Sequence, residues 1–227
     1  SSATSGVGIL YQGVMRDVQV YSYGMNRVND NTCRLYNCHF YSSNERNYIL
    51  SGGVKCYDCV FESDANYGVH VGNNDNELHN CIGRSSASGG IYCLSGNLYN
   101  CTGTSTASLG IQLAGADAKA YNCVGGSPSG SIYGFYLSST SKAFNCTAIS
   151  SGSYAVRIHT DGTFKNGTVI SEWNDAGGHG IVVSTTTSAG FEVTDNAIEV
   201  ANASANGLKA TVASSYGKWA NNTFKGM

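Results

Sequence analysis

Proline is nearly missing from this chain of 227 residues: Pro128 is the only one. Charge is sparse as well, at 12 % of residues with a net charge of -2. No apolar run approaches the ~18 residues that a membrane-spanning helix needs. Each shortage excludes something. Without a basic patch, nucleic acid is not an expected partner, and without a long apolar run no membrane span is expected. Low charge and 29 glycines would suit a disordered chain, but 41 % hydrophobic residues, periodically placed, suffice to bury a core. No acidic cluster suits calcium, and five scattered histidines do not make a zinc site. Neither a metal nor a cofactor is therefore expected. The chain opens on Ser1 with no Met and no signal peptide, so it reads as a processed product or a fragment.

What the chain does contain is a repeat. Leu98-Tyr99-Asn100-Cys101 returns as Ala120-Tyr121-Asn122-Cys123 and as Ala143-Phe144-Asn145-Cys146. Gly110-Ile111-Gln112-Leu113 returns as Gly134-Phe135-Tyr136-Leu137. Self-similarity at a fixed period marks a solenoid or array. Anchors fall at Asp17, Asn37, Asp58, Asn80, Asn100, Asn122, Asn145, Asn166, Asp195 and Asn221, in steps of 20 to 29 residues. A leucine-rich repeat would need several leucines and a helical segment per copy; neither is present. The alternation of small or apolar residues with tyrosine is that of half-buried strands. Asn suits a bend because it tolerates left-handed backbone. The expected fold is all-β: a single-stranded parallel β-helix of about ten rungs, one domain over residues 1–227. Rungs stacked at ~4.8 Å would make a rod on the order of 50 Å long.

Nine cysteines are present. Six follow the anchors, at Cys38, Cys59, Cys81, Cys101, Cys123 and Cys146; Cys33, Cys56 and Cys93 also fall on inward positions by register. Cys56 and Cys59 form the one C-x-x-C, but each has a place in the repeat. An odd number in a column reads most simply as free thiols acting as small hydrophobes, which suits assembly in a reducing compartment.

Two columns point outward. One precedes the anchors: Tyr36, Tyr57, His79, Tyr99, Tyr121 and Phe144. The other runs along the Gly-Ile-x-Leu strands: His70, Tyr92, Gln112, Tyr136 and Arg157. Contiguous exposed aromatics tend to mark contact surfaces, and Tyr joins an apolar face to a polar tip. Three readings of the first column stay open: stacking on sugar rings, packing against a sister subunit, or cover by the chain's own loops. Beyond residue 150 the rhythm breaks. Arg157, His159 and Asp161 lie close in sequence, and an excursion carries Glu172, Trp173, Asp175 and His179. Such an excursion suits a sugar cleft. Glycoside hydrolysis needs a pair of carboxylates; the candidates are Glu172 with Asp175, Asp75 with Glu77, and Glu62 with Asp64. Asp117 repeats the place of Asp75 two rungs on.

The repeat resembles right-handed parallel β-helix proteins, the pectate-lyase-like architecture that many phage tailspikes also use. The resemblance covers almost the whole chain. It lacks the Arg-x-Pro-x-x-Arg and Trp-Ile-Asp-His segments of pectate lyases. Tyr133-Gly134-Phe135-Tyr136-Leu137 opens like the motif of mannuronan epimerases but lacks its Asp-Pro-His. A tailspike resemblance implies a homotrimer in a virion tail, assembled in the host cytoplasm, contacting cell-surface polysaccharide and in some cases depolymerising it. Tyr36, Tyr57, His79, Tyr99, Tyr121, Phe144, Tyr92, Tyr136 and Trp173 would then be carbohydrate-binding. The alternatives are a secreted polysaccharide lyase or glycoside hydrolase, and a purely structural virion or surface protein.

Overall fold

The computed structural model describes residues 13–49, 52–128, 132–172, 178–184, 190–201, 206–211 and 217–226, with the backbone alone for 8–10. Within them the chain forms short strands of three to five residues and no helix. The strands make three parallel sheets of ten strands each, which we call A, B and C. One rung shows the pattern. Val69–Val71 lies in sheet A, Glu77–His79 in sheet B and Ile82–Ser85 in sheet C; the chain then returns to sheet A at Ile91–Cys93. Every strand pairs in parallel with its equivalent one rung away, as in Val69 with Ile91, Ile91 with Ile111, and Ile111 with Phe135. The fold is an all-β parallel β-solenoid. Among the described residues no helix is long and apolar enough to cross a membrane.

The corner between sheets B and C explains the repeat. All ten anchor residues have positive φ, between 50° and 59°. Most side chains resist this left-handed region, whereas Asn and Asp reach it through local hydrogen bonds. The phrase that reads as one bent strand is therefore two strands, with the anchor between them. Corner side chains also bond along the axis: Asn37 Nδ2 donates to Asp17 Oδ1 at 2.7 Å, Asn80 to Asp58 at 3.0 Å, Asn100 to Asn80 at 3.2 Å, and Asn122 to Asn100 at 3.3 Å. Each corner N–H continues the backbone ladder, as Asn100 N–H does to the carbonyl of Tyr121 at 2.9 Å. Like residues thus stand over like from rung to rung.

A second corner is held by serine. Ser42, Ser63, Ser85, Ser105, Ser127, Ser150 and Ser171 end their sheet C strands and are all buried. Each lies four residues beyond the position that cysteine usually holds. Ser42 Oγ donates to the carbonyl of Gly24 at 2.7 Å, and Ser127 Oγ to that of Ser108 at 2.7 Å. The same hydroxyls accept N–H groups three residues on, from Ser88 at 2.9 Å and from Ser108 at 3.0 Å. A buried turn has few strand partners for its backbone, and the column of hydroxyls supplies them.

Inside, volume is conserved across the core. Phe40 and Phe61 stack at 5.3 Å in sheet C, opposite the small, mutually bonded Asn26 and Asn47 of sheet A. One rung beyond Phe61, sheet C turns to Gly83, Gly103 and Gly125, while sheet A passes through Val69 to Ile91, Ile111 and Phe135. A Cβ on Gly103 would sit 2.5 Å from both the carbonyl of Gly110 and Cγ1 of Ile111. Such a glycine marks the close approach of a second element.

All nine cysteines are buried free thiols. Those past the corner are within donor distance of the carbonyl two residues back, as Cys59 Sγ is of Tyr57 O at 3.2 Å and Cys123 Sγ of Tyr121 O at 3.3 Å. Burial, with nearby Asp30, pushes the Cys33 thiol up to about 11, and burial holds Cys56 and Cys93 well above the ordinary range. Cys33, Cys56 and Cys93 thus pack as neutral small side chains. Cys56 lies in a sheet B strand and Cys59 beyond the corner.

The corner makes a direct prediction. Asn122→Ala forfeits the ladder bond and also forces a Cβ without local bonding into left-handed backbone, at about 1–2 kcal/mol. Asn122→Gly forfeits only the bond. Thermal unfolding is expected to rank wild type above the glycine variant, and the glycine variant above alanine. The reverse order would contradict the corner's role.

Candidate functional site

Exact register turns the first aromatic column into a ring ladder on the outer face of sheet B. Tyr36–Tyr57, Tyr57–His79, His79–Tyr99, Tyr99–Tyr121 and Tyr121–Phe144 stack with centroids 5.0, 4.9, 4.7, 5.3 and 5.5 Å apart. Interplanar angles run from 8° to 18°. The guanidinium of Arg16 covers the end ring, 4.2 Å from the centroid of Tyr36. The rings are half-buried. Each inner ring has a neighbour against both faces, so the column offers edges and hydroxyls outward. A sugar stacks on an open ring face, and the inner rings have none. Edge contacts remain open to this column, whether to glycan or to another subunit.

Beside the ladder, Glu77 takes up two partners, Lys55 at 2.9 Å and His79 at 3.0 Å. Partial burial raises its pKa, but the hydrogen bonds from His79 and Lys55 outweigh this and hold the carboxyl below its usual range. Glu62 is arranged alike, with His39 and Arg84 each at 2.8 Å; burial is again outweighed, by hydrogen bonds from Arg84 and His39. Both are anions at neutral pH and serve as counter-ions rather than proton donors. Glu62 and Asp64 line a groove of about 330 Å³ along the edge of sheet C, with Tyr41, Arg84 and Thr104. The Tyr41 hydroxyl donates to Asp64 there.

Asp75 does not share a groove with Glu77. It sits at a turn with φ 63° and lines a polar groove of about 300 Å³ with Asn97, Asp117 and Lys119. The rung relation of Asp75 to Asp117 is therefore real in space. Glu172 is exposed, its N–H bonded to the carbonyl of Ser150 at 2.8 Å. Trp173 and Asp175 lie outside the described residues. Among the described residues no group of three His, Cys, Asp or Glu is placed to hold a metal ion.

The outer face of sheet A is built differently. The register aligns Tyr48, His70, Tyr92, Gln112, Tyr136, Arg157, Val182 and Lys209 along one column. His70 was expected to point to solvent with this column, but it is only 7 % exposed. Tyr48 lies 4.2 Å and Tyr92 4.4 Å from its ring, and Arg46 Nη1 is 3.0 Å from its Nδ1. The turn residues Arg46 and Tyr67 fold over it, which a strand-by-strand reading of the sequence misses. Tyr67 donates to Gln112 Oε1 at 3.2 Å and is tilted 42° to Tyr92.

Further along, Tyr133 lies 5.8 Å from Tyr136 and 5.7 Å from Tyr154. Tyr136 faces His159 at 6.4 Å. Arg157 and His159 meet at Ser184: Arg157 Nε donates to Ser184 Oγ at 3.1 Å, and His159 Nδ1 lies 2.9 Å from the Ser184 carbonyl. Asp161 bonds to neither of them, and its Oδ1 is buried without a partner among the described residues. Sheet A thus gathers Tyr48, Tyr67, Tyr92, Tyr133, Tyr136 and Tyr154 on one half-exposed face. Tyr133 lies near-parallel to Tyr136 and Tyr154, at 23° and 16°, while Tyr67 is tilted 42° to Tyr92, so the six form short groups and not one continuous stack.

These features define a parallel β-solenoid with two aromatic faces, one a continuous ladder and one broken into shorter groups. The chain matches no family model, no curated protein and no solved structure at a significant level.

The buried imidazole gives the stability a pH dependence. Burial, then the charge of Arg46, lower the pKa of His70 from 6.5 to about 4. As pH falls below 6.5 the unfolded chain takes up a proton that the folded chain refuses until about 4. Stability is therefore lost progressively between those values. His179, lowered by burial and by Lys209, acts in the same direction. His70→Gln retains an acceptor for Arg46 and cannot titrate; its melting temperature is expected to fall less than that of the wild type between pH 6.5 and 4. Parallel falls in both proteins would show that His70 is not responsible.

Proposed function

We propose that this chain is the receptor-binding β-helix of a virion spike of the phage tailspike kind, and that it contacts a cell-surface polysaccharide along the outer face of sheet A. The observation that carries the reading is the gathering of six tyrosines, Arg157 and Lys209 on that face. Tyrosine rings offer apolar area at low entropic cost, with hydroxyls for the sugar's own. A stack of short parallel strands is a rigid carrier for such a surface. Tyr92 and Tyr136 are the central contacts, with Tyr48 and Tyr133 beside them. The ladder of Tyr36, Tyr57, His79, Tyr99, Tyr121 and Phe144 holds the rod together and gives edge contacts to glycan or to a neighbouring subunit. The homotrimer and the tail location follow from the tailspike resemblance. Binding needs no hydrolytic pair, and the ion-paired state of Glu62 and Glu77 favours binding over hydrolysis at those residues.

The two faces separate under mutation. Retention on an array of bacterial surface polysaccharides is expected to fall about tenfold or more for Tyr92→Ala with Tyr136→Ala, the scale of an aromatic hot spot. Tyr99→Ala with Tyr121→Ala is expected to lower the melting temperature and to keep most of the binding. Binding lost only through the sheet B pair, or no polysaccharide retained by the wild type, would overturn the proposal.

A further inference from the structure

Two cations flank one groove on sheet A. A groove of about 240 Å³ lies between Arg157 and Lys209, walled by Tyr133, Tyr154, Ser184 and Thr211, and none of the described residues that line it is acidic. Elsewhere Lys55, Arg84, Lys165 and Lys218 all reach carboxylates. Among the described residues Arg157 and Lys209 reach none.

Arg157 is nonetheless held in place. Its Nε donates to Ser184 Oγ at 3.1 Å and its Nη1 to the Tyr133 hydroxyl, and its guanidinium lies 5.4 Å from the Tyr133 ring and 5.8 Å from the Tyr136 ring. A guanidinium carries five N–H donors in a planar fork, so donors remain over for a ligand. A braced fork loses little freedom on binding.

Lys209 lacks an acceptor. Its Nζ lies 3.1 Å from Nε2 of His179, while Nδ1 of His179 accepts the N–H of Asn206 at 3.1 Å. A neutral imidazole has one free lone pair. With Nδ1 accepting, Nε2 carries the hydrogen, and it faces an ammonium that is itself a donor. His179 stacks on Tyr154 at 5.5 Å and 7°, and the bond from Asn206 N–H orients its ring. Two donors in contact are poorly satisfied, and an anion between Lys209 and Arg157 would satisfy both cations.

We propose that this groove takes an anionic substituent of a sugar, a carboxylate, sulfate or phosphate, and hence that the receptor glycan is acidic. The inference rests on the glycan-binding reading of sheet A and narrows it to charged polysaccharides. Arg157 grips the anion through its free N–H groups, Lys209 adds a second charge-assisted bond, and Tyr133 and Tyr154 wall the sugar ring.

The test follows the Arg157 Nε–H resonance of the whole chain by NMR during titration with glucuronate, glucose 6-sulfate, glucose 6-phosphate and uncharged glucose. At least one charged sugar is expected to move it saturably, and glucose is not. The charged sugar that binds tightest identifies the substituent. Lys209→Gln is expected to weaken that binding about tenfold, followed through the same Arg157 resonance. Arg157→Gln is read through the neighbouring Ser184 and Thr211 amides, and circular dichroism checks that both variants fold. Equal response to glucose, or no saturable response to any charged sugar, overturns the anion site. The polysaccharide array separates the two readings. Retention of neutral polysaccharides without any response to charged sugars leaves glycan binding standing and removes this inference. A charged-sugar response with no polysaccharide retained supports the anion site and removes the glycan receptor.

Discussion

The structure depends on a left-handed residue at the corner between sheets B and C. Ten Asn or Asp residues adopt it with nearly the same φ. The turn ends one strand and starts the next in a fixed direction, so it sets which side chains face the core in both sheets. The bonds between successive Asn side chains then tie the register of each rung to that of the next. A slip of one residue would send every inward side chain outward. With the register held, columns follow: cysteines beneath the corner, serines at the far end of sheet C, and rings above sheet B.

The two aromatic faces show how one scaffold yields two kinds of surface. On sheet B the rings sit directly above one another at near-constant spacing, and they consume each other's faces. On sheet A the strand column mixes Tyr with His, Gln and Arg, and tyrosines from the preceding turns lean across it. Gln112 and Arg157 interrupt the column, so the rings form short groups: Tyr67 tilts 42° against Tyr92, while Tyr133 lies near-parallel to Tyr136 and Tyr154. The interruptions leave ring edges and uncompensated charge for a ligand.

Much of this was legible in the sequence. The anchors, the step length and the inward cysteines locate the corner and the strands that flank it, because one residue type recurs where one backbone state recurs. The serine column was equally legible, as a serine four residues after each corner position from Cys38 to Gly167, but hydroxyls in loops look ordinary until their burial is known. The position of His70 was not legible. Alternation places it outward, and only the fold of Arg46 and Tyr67 across the strand buries it. The groove of Arg157 and Lys209 was half legible: Arg157 stands in the column, but Lys209 lies two rungs on, past irregular steps that hide the register. Asp75 and Glu77 are two residues apart, and Asp75 lines the polar groove with Asp117 while Glu77 pairs with Lys55 and His79.

The central functional claim is that ligand lies on sheet A and not on sheet B. Hydroxyl-radical footprinting of the chain, free and saturated with a retained polysaccharide, tests it by reading every tyrosine at once. The account predicts protection of Tyr48, Tyr92, Tyr133 and Tyr136, with Tyr57, Tyr99 and Tyr121 unchanged. Protection confined to Tyr57, Tyr99 and Tyr121 would contradict it and make the ring ladder the receptor surface.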